Sequence, residues 1–269
     1  MERGDLLVAG NRNLASTLRL YARTAPDTAL DDDGRLLLVS ISRTWPGPYH
    51  NAAMRLDPSL APDEVLARAE AFFADRSSGF CVWIAAHADA DLEHAALGAG
   101  YPSISAAGAP RMALDHRLSS VAPADPAITL TEVVDDTDRL GYLAVTVDAY
   151  ADSFLPRDAA EVQLASMEAV RGPGVRAVVA RDGERPVAAA MTVASDGVAG
   201  IQMVGTVPDA RRRGLGELCT RWAVDAGFEL GAEAIVLEAS EAGEPLYLRL
   251  GFVEVSRYRW CLGPPRRQR

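Results

Sequence analysis

Three arginines, Arg211-Arg212-Arg213, run straight into Gly214-Leu215-Gly216 and a stretch with helical apolar spacing. Residues of these types in this order can hold an anion. The first N–H groups of a helix have no intrahelical acceptor, and the aligned peptide dipoles leave that end partly positive. Glycine lets an anion come close to the main chain, and guanidinium groups add fixed charge in a geometry suited to phosphate. The segment reads as a pyrophosphate cradle, against the plainer alternative of a solvated charged loop before a helix. A phosphate loop of the NTPase type is excluded, because no Gly-Lys-Ser/Thr follows. The dinucleotide fingerprint fits poorly. Cys219 stands where its third glycine belongs, although Glu238 closes a strand at about the expected 20 residues. Pro208 and the arginines separate the glycines from the preceding strand, which belongs to an antiparallel run rather than a βαβ unit.

The elements that must position the cradle alternate clearly in the second half of the chain. The patterns predict a strand over Ile128–Val134, helices over Asp138–Tyr150 and Asp158–Val170, and three consecutive antiparallel strands over Val175–Ala180, Val187–Ala194 and Val198–Val207. A helix over Leu215–Leu230, a buried strand over Ala234–Ala239, a short helix over Pro245–Leu250 and closing strands over Phe252–Val255 and Tyr258–Leu262 follow. In the first half, helices are expected over Leu6–Ala22, Asp63–Asp75 and Asp91–Leu97, and strands over Arg35–Ile41, Phe80–Ala85 and Arg111–Leu114. The proline-containing stretch at 119–127 reads as a linker between units 1–118 and 128–269. The order of elements from residue 62 repeats from residue 215, and Leu97-Gly98-Ala99-Gly100-Tyr101 echoes Leu250-Gly251-Phe252, which points to a duplicated fold.

On these residues the second half resembles the GNAT family of acyl-CoA-dependent N-acetyltransferases, over about Ile128 to Gly263. Arg211-Arg212-Arg213-Gly214-Leu215-Gly216 matches the family's Gln/Arg-x-x-Gly-x-Gly/Ala loop. Ile235-Val236-Leu237-Glu238-Ala239-Ser240 and Leu246-Tyr247-Leu248-Arg249-Leu250-Gly251-Phe252 match its distal part. The resemblance implies an α/β (α+β) fold of two GNAT-like lobes, each a mixed, mostly antiparallel sheet flanked by helices, with the first lobe lacking the cradle. It implies acetyl-CoA as co-substrate, no metal, a small-molecule primary amine as acceptor, and direct attack of the amine on the thioester. Val204, Gly205 and Thr206 fall at the family's strand bulge, where main-chain groups hold the acetyl carbonyl and pantetheine. The backbone of Arg211, Arg212, Arg213, Gly214, Leu215 and Gly216 is implied to hold the pyrophosphate, with arginine side chains free for the ADP phosphates and Leu215 packing inward. Ser240 replaces a common Asn at the pantetheine. Tyr247 takes the position of the general acid that protonates the leaving thiolate; the alternative is a tyrosine that only packs.

No general base is identifiable. Glu238 is one candidate, with a salt-bridged or edge-facing role as the alternative; Asp148 and Asp152 near the acceptor loop read as solvated. Cys219 reads as a buried small residue. The four histidines (His50, His87, His94, His116) lie in the first half without ligand spacing, so no metal is expected. Trp45-Pro46-Gly47-Pro48-Tyr49-His50-Asn51 could line a pocket or simply pack. A non-catalytic acyl-CoA-binding module is the alternative to an enzyme.

The bulk numbers agree. Over 269 residues the net charge is −10 and every basic side chain apart from histidine is Arg, a poor fit to nucleic acid or an anionic membrane, and the C-terminal Pro264–Arg269 reads as a solvated tail. Three scattered cysteines, no signal pattern and no apolar run of membrane length lead to an expected cytoplasmic location, and the Ala- and Arg-rich composition to a bacterial source.

Overall fold

In the computed structural model, which describes residues 1–74, 76, 79–119, 121–151 and 155–263, the chain builds one mixed sheet of eleven strands. The first half contributes α1 (Arg3–Thr24), β1 (Ala29–Asp32), β2 (Leu36–Ser40), β3 (Asn51–Arg55), α2 (Pro62–Ala74), β4 (Phe80–Ala85), α3 (Ala90–Gly98) and β5 (Ala109–Leu114). The second contributes β6 (Ile128–Glu132), α4 (Asp136–Ala149), α5 (Arg157–Gln163), β7 (Val175–Asp182), β8 (Arg185–Ser195), β9 (Val198–Thr206), α6 (Leu215–Glu229), β10 (Ala234–Glu238), α7 (Glu244–Arg249) and β11 (Val253–Gly263).

The strands lie in the order β1-β2-β3-β4-β11-β5-β10-β9-β8-β7-β6. Outward from the central β11–β5 pair, β4 corresponds to β10, β3 to β9, β2 to β8 and β1 to β7. Each side carries one parallel pair, β3 with β4 and β9 with β10, in an otherwise antiparallel set. The echo between residues 62 and 215 is thus a structural duplication in which each half lends its last strand to the other. Tyr258–Gly263 of β11 pairs along β4, and Arg111–Leu114 of β5 pairs along β10. Between the exchanged strands, residues 115–127 carry no helix or strand among those described.

Burial explains the strand sequences. Every residue of β2, β4 and β5 is buried; β2 and β4 are near-continuous apolar runs, as strands covered on both faces should be, and β5 takes Arg111 inside with it. Helix α1 touches β1 and β2 near one end of the sheet and β8 and β9 toward the other, so the sheet curls around it. Its buried face (Leu14, Ala15, Leu18, Tyr21, Ala22) joins the same apolar core as Leu37, Trp83, Met191 and Ile201. Asn13 fixes its height over the sheet, donating from Nδ2 to the Val193 carbonyl at 2.8 Å. Gly200 lies beneath, where a Cβ would collide with Asn13 Oδ1.

The structure departs from the sequence reading at several points. The helix expected over Asp158–Val170 breaks after Gln163, and a 3-10 turn over Met167–Ala169 follows. Leu164 and Val170 both enter the main core; six residues apart, they would point to different sides of a straight helix. The two closing strands are one, β11, whose register against β5 shifts between Glu254 and Ser256. Strands β1 and β3 carry no local signal, being acidic in one case and alanine-rich in the other. The end of the helix expected to reach Asp75, Ser120 of the linker, Asp152 and the tail from Pro264 lie outside the described residues. No described helix is long and apolar enough to cross a membrane.

A shared sheet with exchanged strands and one helix buried between the halves makes a single cooperative unit. Scanning calorimetry of the full chain is expected to give one unfolding transition. Two separable transitions, one per half, would contradict the exchange.

Candidate active site

β9 and β10 pair only where Val198–Gly200 meets Ala234–Val236; beyond that point they part. On β9 the cause is a bulge. Ala189 of β8 faces Gly205 while Met191 faces Gln202, so β9 spends one more residue than β8 over that interval. Met203 absorbs it with φ of +53°, a conformation unfavourable for a non-glycine residue. On β10 the cause is its other neighbour. Leu237 and Glu238 continue along Met112 and Arg111 of the exchanged β5, which keeps them away from β9. The distortion falls just before the expected Val204–Thr206. Gly205 serves a different purpose, since a Cβ there would sit 2.8 Å from that of Ala149 and push α4 away.

The parted edge presents main-chain donors. The N–H of Val207 bonds to the Val187 carbonyl on β8. Strand alternation therefore turns the N–H groups of Val204 and Thr206 toward the gap. The Val204 carbonyl accepts from the Tyr150 hydroxyl at 2.9 Å.

After β9 a 3-10 turn over Pro208–Ala210 leads into the arginine–glycine loop, and Gly214, at φ +77°, caps α6. Among the described residues, the N–H groups of Arg212–Glu217 find no backbone acceptor. A Cβ at Gly216 would make only ordinary contacts, with Thr206 Oγ1 at 3.6 Å and Leu246 Cδ2 at 3.7 Å, so the main chain there is not crowded by its neighbours. These donors and this clearance fit a pyrophosphate. Leu215 packs inward, 4% exposed.

The arginine side chains do not all face this space. Arg211 donates to the carbonyls of Thr206 (3.3 Å) and Ala149 (3.1 Å), tying the negative end of α4 to β9. Arg213 bonds Asp182 and Asp125, each at 2.8 Å, holding the linker against the loop. Arg212, exposed with φ of +64°, has no partner among the described residues, which leaves its guanidinium open to a phosphate. Alongside, the linker at Val121–Asp125 and the first turns of α6 enclose a pocket of about 440 Å³ that Arg221 also lines.

Helix α7 closes the gap from the other side. Ser240 Oγ accepts from the Gly243 N–H at 3.1 Å and shapes the turn into α7. A Cβ at Gly243 would stand 3.0 Å from the Tyr247 ring. That ring is 8% exposed and packs edge-on against Phe252. Burial, and to a lesser extent nearby Tyr150, push the Tyr247 phenol well up, so it stays protonated. Among the described residues its hydroxyl has no hydrogen-bond partner.

Glu238 is not free. It forms an ion pair with Arg111 at 2.9 Å and accepts from the Tyr49 hydroxyl at 3.1 Å. Both partners come from the first half: Tyr49 stands on the Trp45–Asn51 stretch that the sequence offered as a pocket lining, whereas nothing in the sequence marks Arg111 as a site residue. The Trp45–Asn51 loop reaches this region as a packed structure. Tyr49 lies edge-on to Trp83, and Trp45 packs against the cluster of α4 and α5 residues that Tyr150 and Met203 also touch. His50 is buried beside the Ala159 carbonyl, and desolvation lowers its pKa to about 4. Asp148 is exposed on α4. Cys219 is buried, its thiol pushed up to about 12 by desolvation. No described group of His, Cys, Asp and Glu side chains is placed to hold a metal.

The first half has the corresponding elements without the site. β3 ends one residue beyond its pairing with β4. The connection to α2 folds on itself at Asp57, whose carbonyl accepts from Leu60 at 3.0 Å and whose carboxylate accepts from the Ser59 N–H at 2.8 Å. An acidic, self-bonded turn does not receive a phosphate.

Residues 142–252 match the model of the acetyltransferase (GNAT) family, so this segment is a GNAT domain. No curated protein matches the chain. Among solved structures, a GCN5-related N-acetyltransferase from Kribbella flavida is similar at 24% identity, with 96% of each chain covered and a TM-score of 0.70. A GCN5-related N-acetyltransferase from Sphaerobacter thermophilus is similar at 16% identity, with 89% of this chain and 84% of that one covered and a TM-score of 0.59. A tandem GNAT protein from the clavulanic acid biosynthesis pathway covers 100% of this chain over 98% of its own, at 15% identity and a TM-score of 0.56. The fold of the whole chain is that of a tandem GNAT protein.

Two substitutions test what holds the gap. Arg111→Met strips Glu238 of its cation in a buried place and is expected to cost about 3–5 kcal/mol in a urea titration. Gly205→Val overpacks the contact with Ala149 and is expected to cost about 1–3 kcal/mol. A neutral result for Arg111→Met would mean that the pair does not brace β10.

Proposed function

We propose that this chain is an acetyl-CoA-dependent N-acetyltransferase whose second half carries the chemistry, transferring the acetyl group to a primary amine by direct attack. One observation supports it above the others: the parting of β9 and β10 opens between a loop of amides and a protonated tyrosine, both unpaired among the described residues. Acetyl-CoA would supply the acyl group as a thioester.

In this reading the amides of Arg212–Glu217 hold the pyrophosphate, aided by the α6 dipole and the Arg212 side chain. The pocket beside the linker takes the part of the ligand beyond the phosphates. The N–H groups of Val204 and Thr206 orient the thioester and stabilise the negative charge that develops on its carbonyl oxygen. Ser240 faces the pantetheine only through what its bond to Gly243 leaves free. As the amine nitrogen bonds to the carbonyl carbon and the carbon–sulfur bond breaks, Tyr247 gives its proton to the departing sulfur. The nitrogen's surplus proton leaves to solvent, since Glu238 is engaged by Arg111 and Tyr49. A mechanism through Cys219 is disfavoured by its burial and high pKa.

The same engagement of Glu238 favours one second reading, a non-catalytic acyl-CoA-binding module. Tyr247→Phe separates the two. Thiol release from acetyl-CoA is expected to fall about 100-fold or more, with the Kd for CoA unchanged in calorimetric titration. Undiminished turnover in the variant would remove Tyr247 as the acid; a wild-type chain that binds CoA and turns over no amine would favour the binding module.

A further inference from the structure

The linker does not hang free beside the cradle. Two arginines of the second half pin it at both ends. Arg221 on α6 donates to the Ser119 carbonyl at 2.9 Å, and Arg213 on the loop donates to the Asp125 carboxylate at 2.8 Å. Asp125 is itself fixed, its carboxylate accepting from the Ala127 N–H and its carbonyl from the Ile128 N–H, both at 3.0 Å. Between the pins, Val121–Ala124 and the first turns of α6 enclose the pocket of about 440 Å³. Small-molecule sites span about 300–1,000 Å³. Gly214 and Leu215 line this pocket and also belong to the loop of amides, so pocket and cradle are continuous.

The lining sorts ligands by charge and shape. Val121 and Pro123 on the linker face Ile128, Leu215 and Leu218 of the second half, and all five offer apolar surface. Val121 is 53% exposed, an apolar side chain left to the pocket and to water. The charged members cancel. Arg213 is held by Asp125 and Asp182, each at 2.8 Å, and Arg221 by Glu217 at 2.9 Å. Neither guanidinium is free for a phosphate inside the pocket, and the Asp125 and Glu217 carboxylates would repel one. Those carboxylates can instead accept hydrogen bonds. Glu217 meets Arg221 through one oxygen, and its other oxygen has no partner among the described residues.

Resting on the acetyl-CoA reading, we propose that the linker pocket encloses the adenosine of the co-substrate and leaves its 3′-phosphate outside in water. A flat base suits the space between the linker and the apolar side of α6. Its exocyclic amine, or a ribose hydroxyl, donates to Glu217 or Asp125. The 3′-phosphate finds no free cation in the pocket, because Arg213 and Arg221 are committed and Arg212 serves the pyrophosphate. The site therefore selects the nucleoside and is indifferent to the extra phosphate, so thioesters of dephospho-CoA are substrates as good as those of CoA. The linker gains a task beyond joining the halves. It and the cradle hold successive parts of one ligand, and Arg213, bonded to both ends of that arrangement, fixes their spacing.

Calorimetric titration of the full chain with CoA, dephospho-CoA and 4′-phosphopantetheine tests this. In the wild type, CoA and dephospho-CoA are expected to share one Kd to within about threefold, as for a charge that stays in water. Ala122 is exposed on the linker and lines the pocket, so Ala122→Trp fills the space without disturbing the core. That variant is expected to weaken CoA and dephospho-CoA alike, by about 10- to 100-fold, the effect of losing one buried ring-sized surface. Its Kd for 4′-phosphopantetheine and its thermal midpoint are expected to match the wild type. A larger deficit for dephospho-CoA in the wild type overturns the proposal. So does an Ala122→Trp chain that binds CoA undiminished, or that loses 4′-phosphopantetheine as strongly as CoA. In each of these cases CoA still binds the wild type and the transferase reading survives. If the wild type binds no CoA, both fall.

Discussion

The structure turns on two parallel strands that stop pairing partway along. A parallel ladder satisfies its N–H and C=O groups as it goes, and leaving several unmade inside a protein is costly. β9 and β10 bear that cost at the centre of the sheet, so neighbours must enforce it. Met203 turns β9 aside in a strained conformation, and β5 holds the end of β10 in its own antiparallel register. The Arg111–Glu238 pair fastens the latter contact, and Tyr150 takes up the Val204 carbonyl that the parting exposes. In the first half, β3 runs only one residue past its pairing with β4 and turns on Asp57. One architecture, used twice, yields one gap.

The strand exchange gives the first half a part in the site that its sequence does not advertise. Its own loop cannot hold a phosphate, yet β5 supplies the arm that keeps β10 apart. Helix α1 packs on β8 and β9 beside the gap, and Tyr49 and Arg111 hold the Glu238 carboxylate at its edge. Among the arginines of the cradle the division is equally physical. Arg211 and Arg213 lock the loop to α4 and to the linker, so that the amides and Arg212 are held ready without reorganising.

The legible parts of this chain were those whose chemistry is local. Gly214 and Gly216 stand out because glycine tolerates a positive φ and keeps a Cβ away from the main-chain donors, and Arg211–Arg213 because charge is conspicuous in an acidic chain. Tyr247 could be placed through the motif around it, and the helices through their periodicity. What could not be read depends on distant contacts. Met203 carries no mark of a left-handed backbone, which the packing around it imposes. The partnership of Arg111 with Glu238 needs a strand exchanged between halves. Leu164 looks like the middle of a helix until the core claims it together with Val170.

Amide-resolved hydrogen exchange with and without CoA tests the central claim most directly. If the gap and the loop together hold an acyl-CoA, the amides of Val204, Thr206 and Arg212–Glu217 will become protected. Those of the closed ladder at Val198–Gly200 and of the Leu56–Ala61 turn will not change. Binding of CoA that leaves Val204, Thr206 and the loop unprotected, or that protects the first-half turn instead, would contradict the account.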